Sequence, residues 1–237
     1  MKSMIHSWKK KAAQYRELKK QKGVTLLEII IVLGIIGIIA AGVVILAQRA
    51  FTAQDISDVI ENTNSVRVSM AEAYKDESTY PSSTFDVTSL TKATIATSSA
   101  DAPIVTLVKL GKLDAAEAFN GISSDAFEIG AATLASDGPQ GAAGAAKGFY
   151  VVVNGLDVED CRNLASQVGA QWDYVASATA GAGTRANLGI VAMDADAASG
   201  SAVLKSLKAD ALTPASIVSA GFCDAGDSTN ALVLGSR

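Results

Sequence analysis

Between Val24 and Gln48 the chain carries one charge, Glu28, in a run of Ile, Val, Leu, Gly and Ala. A helix that is apolar on every face belongs in lipid or against other apolar helices. The uncharged part, residues 29–48, is 20 residues long. At about 1.5 Å per residue it spans about 30 Å, the thickness of bilayer hydrocarbon. A cleaved secretory signal has a shorter core and a small-x-small cleavage site. Here the run continues into a polar helical pattern, so it is expected to stay in the mature protein.

That pattern places Ile56, Val59, Thr63, Val66, Met70 and Ala73 at alternating steps of three and four, with Ser57, Asp58, Glu61, Asn62 and Arg67 off the stripe. Residues 24–75 therefore read as one helix of about 78 Å, far longer than a bilayer is thick. Its inner half, 24–48, is the membrane part. Its amphipathic half, 49–75, must pack on the remainder of the chain, 76–237. The helix ends before Tyr80-Pro81, because the residue ahead of a proline is pushed out of helical geometry.

Charge is divided unevenly. Of 20 basic and 24 acidic residues, eight basic and one acidic precede Gly23, which leaves twelve against twenty-three in the body. A basic head before an apolar run is the positive-inside pattern, so residues 1–23 are a leader that stays cytoplasmic while the body crosses. The acidic body excludes a nucleic-acid partner. The lone histidine, His6, lies in the head. The body thus lacks the base for Ser-His-Asp or Cys-His hydrolysis and the imidazoles of a metal site. No catalytic, cofactor-binding or metal-binding residue is assigned, and no enzyme activity is expected. Cys161 and Cys223 lie past the membrane segment, in an oxidising compartment, where they either pair or remain two separate buried thiols.

Beyond the helix, a Ser/Thr-rich connector runs to about Ala100. Short helices are predicted over Ile104–Leu110, stopped by Gly111, and over Asp114–Phe119. A further helix follows Asp157 as N-cap and stops at Gly169. "SAVLKSLKAD" is a fourth short helix. "AFEIGAATL", "GFYVVVNG", "DYVASA", "LGIVAMD" and "NALVLGS" read as strands. The glycine-rich stretches "GPQGAAGAAKGF" and "TAGAGTRANLG" miss the phosphate-loop and dinucleotide orders and are surface loops.

"KGVTLLEIIIVLGIIGIIAAG" resembles the class III signal sequence of type IV pilins: a basic leader, a glycine before the scissile bond, and a glutamate four residues after the new N-terminus. The leader length, Gly34, Gly37 and Gly42 without a helix proline, and a C-terminal cysteine pair resemble the type IVb branch found in enteric pathogens. "LVKLGKLDAAEAFNGI", "NGLDVEDCRNL" and the ending "LVLGSR" are similar to it as well.

The resemblance implies an α+β ladle: the long helix as spine, its outer half packed on an antiparallel sheet. It implies cleavage between Gly23 and Val24 by a prepilin peptidase, with N-methylation of Val24. The family more often has Phe or Met at that position. It implies a Cys161–Cys223 disulfide bounding a variable region, residues 161–223, and a role for Glu28 in filament assembly. The implied function is the major subunit of a type IVb pilus, a helical homopolymer used for adhesion, bundling and colonisation. The alternative is a minor pilin or a type II secretion pseudopilin. The implied partners are further copies of itself, the prepilin peptidase and methyltransferase, the inner-membrane assembly machinery and a host-cell receptor. The implied location is the inner membrane of a Gram-negative bacterium before assembly and its extracellular surface afterwards.

Overall fold

The computed structural model describes residues 24–134 and 147–237. The leader, including Gly23 and His6, and most of "GPQGAAGAAKGF" lie outside the described residues. The first helix, α1, runs Leu26–Ala73, close to the 24–75 read from the pattern. The chain divides into two compact units between Phe51 and Thr52, three residues beyond the boundary set by charge alone.

In the first unit α1 buries nothing: Leu26 is 78% exposed, and Ile38 77%. In the second unit Ile56, Val59, Thr63, Val66 and Met70 are buried, as the stripe requires, and Ala73 is half-buried. Thr63 is a polar member of this apolar row. Its hydroxyl donates to the carbonyl of Val59 at 2.8 Å, one turn back, so its burial leaves no unpaired group.

Among the described residues the second unit also holds helices α2 (Pro103–Lys109), α3 (Val158–Val168) and α4 (Pro214–Ile217), three short 3-10 turns and six strands. The strands are β1 (Glu128–Thr133), β2 (Lys147–Leu156), β3 (Tyr174–Thr179), β4 (Val191–Ala192), β5 (Val203–Lys205) and β6 (Asn230–Ser236). They form one sheet in the order β4-β1-β2-β6-β3-β5. Every pairing is antiparallel except the two-residue β1/β4 contact, which is parallel.

Side chains alternate across the sheet as strand geometry demands. One set, including Phe149, Val151, Val153, Val175, Leu232 and Leu234, joins the core that α1, α2 and α3 also line. The other set, including Tyr150, Val152, Tyr174 and Val233, is covered by the segment around Met193. Met193 can lie that close because β2 has a glycine beneath it: a Cβ on Gly148 would stand 2.7 Å from the Met193 sulfur.

All five predicted strand segments contain a strand, although "LGIVAMD" contributes only two residues. Two short helices are corrected. Residues 114–119 form turns, because the Asp114 carboxylate takes the Ala116 N–H at 2.8 Å and Glu117 takes the Asp114 N–H at 3.0 Å. Six residues cannot recover the cost of nucleating a helix when side chains compete for their amides. "SAVLKSLKAD" holds β5 and a turn, in which the Ser206 hydroxyl accepts from the amides of Lys208 and Ala209. α3 ends at Val168 with Gly169 as its C-cap, as expected, and the chain goes on in a 3-10 turn, Gly169–Gln171. The glycine is needed for closeness: a Cβ there would sit 2.5 Å from the Leu212 Cδ2.

Burial pushes the Tyr150 phenol up to about 12, with Glu128 adding to the rise and Arg185 opposing it. Burial also raises Tyr174. A group whose folded pKa is raised contributes stability that is complete below its unfolded pKa and is lost as pH climbs through the folded one. The unfolded phenol titrates near 10.0. The thermal midpoint is therefore expected to fall between about pH 10 and pH 12, and Tyr150→Phe to flatten that fall. A midpoint already declining at about pH 8.5 would assign the loss to other groups.

Candidate functional site: the first turn of α1 and the disulfide-bounded region

Val24 and Thr25 precede α1 in non-helical conformation, and Glu28 is in its first turn. The Glu28 amide donates to the Thr25 carbonyl at 3.0 Å and to its hydroxyl at 3.2 Å. Thr25 is thus the N-cap, and Glu28 occupies the third helical position. Thr-x-x-Glu is the capping-box spacing, and an acid there also meets the positive end of the helix dipole. The sequence reading missed Thr25, although the spacing was available. The Glu28 carboxylate is exposed and makes no ion pair among the described residues.

Around it the surface is aliphatic: Leu27, Ile29, Ile31 and Val32 are 68%, 45%, 53% and 46% exposed. Among the described residues, and apart from the adjoining helix backbone, no atom lies within 4 Å of a Cβ built on Gly34, Gly37 or Gly42. These glycines accommodate no neighbour among those residues.

In the second unit Cys161 and Cys223 are bonded, with Cα atoms 6.0 Å apart, and both are fully buried. Cys161 shares the inner face of α3 with Leu164 and Val168. The bond ties that helix to the turn before β6 and encloses β3, β4, β5 and α4. Asp157 stands at the α3 N-cap position, yet its carboxylate accepts from the Ser228 amide and hydroxyl, both at 2.7 Å.

A buried polar network fixes the loop 181–186 of this region to β1 and β2. The Asn154 amide nitrogen donates to Asp125 at 2.7 Å and to the carbonyls of Thr184 and Gly181 at 3.0 and 3.1 Å. Glu128 accepts from Arg185 at 2.9 Å and from the Ala186 amide at 2.8 Å, and Arg185 also donates to the Ser83 carbonyl at 2.8 Å. Glu128 is 5% exposed. A carboxylate so buried is tolerated because a guanidinium and an amide both bond it.

The outer half of α1 is held from both flanks. Asn62 donates to the Phe119 carbonyl at 3.2 Å, and Ser69 to that of Lys112 at 2.8 Å. On the other side Arg67 donates to the Gln171 carbonyl and lies 5.2 Å from the Trp172 ring centroid.

Comparison with known proteins gives two family matches. Residues 106–235 match the model of the toxin-coregulated pilus subunit TcpA, and residues 18–44 match the prokaryotic N-terminal methylation motif. A toxin coregulated pilin of Vibrio cholerae is 37% identical over 206 residues, covering 84% of this chain and 83% of the relative. A second, from Vibrio cholerae serotype O1 (strain ATCC 39315 / El Tor Inaba N16961), is 36% identical over 203 residues, with the same coverage of 84% and 83%. In fold, the chain is similar to the crystal structure of TcpA, a type IV pilin from the Vibrio cholerae El Tor biotype. The TM-score is 0.56 at 23% identity, over 78% of this chain and 99% of that one.

Proposed function

Because the chain belongs to the toxin-coregulated pilus subunit family of type IV pilins, we propose that it is the major subunit of a type IVb pilus that serves adhesion, bundling and colonisation. The observation that carries this reading is the first half of α1, whose large apolar side chains are all exposed. Such a surface needs a solvent other than water. Lipid serves before assembly, and copies of the same helix serve in the filament. The family is one of structural subunits, and we read the chain as having no enzyme activity of its own.

Before assembly the protein sits in the inner membrane. A prepilin peptidase cuts between Gly23 and Val24, and the new amine of Val24 is methylated. The glycine suits the protease, because a Cβ at that position would crowd an extended chain. Assembly machinery in the inner membrane then extracts the subunit into an extracellular fibre, and a host-cell receptor is a candidate partner of that fibre.

Sheared surface filaments test this. Intact-mass analysis is expected to show one abundant species beginning at Val24 with an added methyl group. A mature species that retains the lysine-rich head refutes the processing step. Trace abundance in otherwise normal filaments assigns the chain to the minor pilins instead.

A further inference from the structure

The last turn of α1 contains no basic residue. A helix end leaves carbonyls that its own amides do not reach, and the chain leaves α1 in a turn that starts at Tyr74. Lys147, the first residue of β2, ties down that turn. Its ammonium donates to the carbonyls of Tyr74 at 2.7 Å and Lys75 at 3.0 Å, and to that of Glu77. The same nitrogen stands 5.0 Å from the centroid of the Tyr80 ring. That ring is itself buried, tilted against Phe149 with centroids 4.8 Å apart.

Lys147 belongs to none of the ion pairs among the described residues. Its charge is met by the negative end of the helix dipole, by three carbonyl oxygens and by a ring face. Asn62, Arg67 and Ser69 tie α1 earlier in the helix, and Glu72 in its last turn pairs with Lys112 at the surface, whereas Lys147 holds the turn beyond Ala73. β2 is paired on both sides, with β1 and β6.

We infer that Lys147 is a latch. It fastens the far end of α1 to a central strand, and it opposes unwinding of that end when the helix is pulled along its axis. The source of the pull rests on the pilus reading, whereas the latch is a property of a single chain.

Hydrogen exchange read by mass spectrometry on the full chain in detergent tests it. In Lys147→Met the amides of residues 74–79 are expected to exchange at least about tenfold faster, while those of α3 and β6 stay within about twofold. Unchanged exchange at 74–79, or equal acceleration throughout the second unit, overturns the latch. If Lys147→Met does not accumulate, Lys147→Gln shortens and discharges the group and is read the same way. Neither reading requires filaments, so failure of the latch and failure of the pilus reading are separately visible.

Discussion

Glu28→Ala is expected to give a protein that is made, inserted, cleaved after Gly23 and disulfide-bonded, on cells that carry no filaments. A carboxylate in a membrane helix costs on the order of 3 kcal/mol at the bilayer centre and less near an end. Its place in the first turn of α1 softens that cost through the dipole. Capping alone would be a sufficient local reason for a glutamate at this spacing. The proposed cleavage, however, would make a new ammonium at Val24, in equally apolar surroundings. Unlike charges that are poorly solvated attract strongly across low dielectric. Glu28 of a docked subunit meeting the amine of an incoming one would set the axial register between them. Glu28→Gln separates the two roles, because it retains a capping side chain and loses the charge. Normal pilus numbers in either variant sink the assembly role, and so does degradation of Glu28→Ala before processing.

Loss of the disulfide is the second large effect. Closing a loop across a separation of 62 residues is worth about 4 kcal/mol in the chain-entropy model. For a chain of this size that corresponds to a drop of roughly 10 °C in thermal midpoint. Cys161→Ser should do at least this much damage, since it also buries a hydroxyl on the inner face of α3. The variant is expected to be degraded before assembly. Cys161→Ala, which adds no polar group, should show the entropic part together with the smaller cost of removing one buried sulfur. Peptide mapping of filaments that found both thiols free, or an unshifted midpoint in Cys161→Ala, would remove the bond from the account of stability.

The parts of this molecule that were legible in its sequence are those with a local cause. An absence of charge from Ile29 to Gln48 and a three-four stripe from Ile56 to Met70 suffice to place α1. Alternation suffices for β1, β2, β3 and β6. What was misread had competing local causes. Residues 114–119 have helix-forming letters, but Asp114 and Glu117 spend their carboxylates on nearby amides. Val203 and Leu204 are strand residues inside a segment whose polar spacing resembles a helix. The pairing of Glu128 with Arg185 could not be read at all. It spans 57 positions, and neither residue stands in a motif. The same holds for Asp125 with Asn154, 29 positions apart, where Asn154 lies in the irregular register of β2 against β6 between Val153 and Leu156. Chemistry of this kind is set by topology, which periodicity does not encode.

The order β4-β1-β2-β6-β3-β5 leaves two outer strands, and they are the shortest of the six, with two and three residues. An outer strand offers unpaired amides and carbonyls to any neighbouring chain, and long flat ones template runaway stacking. A protein concentrated enough to polymerise is under continual risk of joining sheet to sheet in the wrong geometry. Here β5 is further shielded, because Ala211 donates its amide to the Leu204 carbonyl and Ala198 donates its own to that of Val203. Both outer strands therefore offer a second copy little edge to pair with. Under the proposed pilus function, association would fall to α1, whose contacts in lipid would be exchanged for contacts in a fibre, a route distinct from amyloid-like edge pairing.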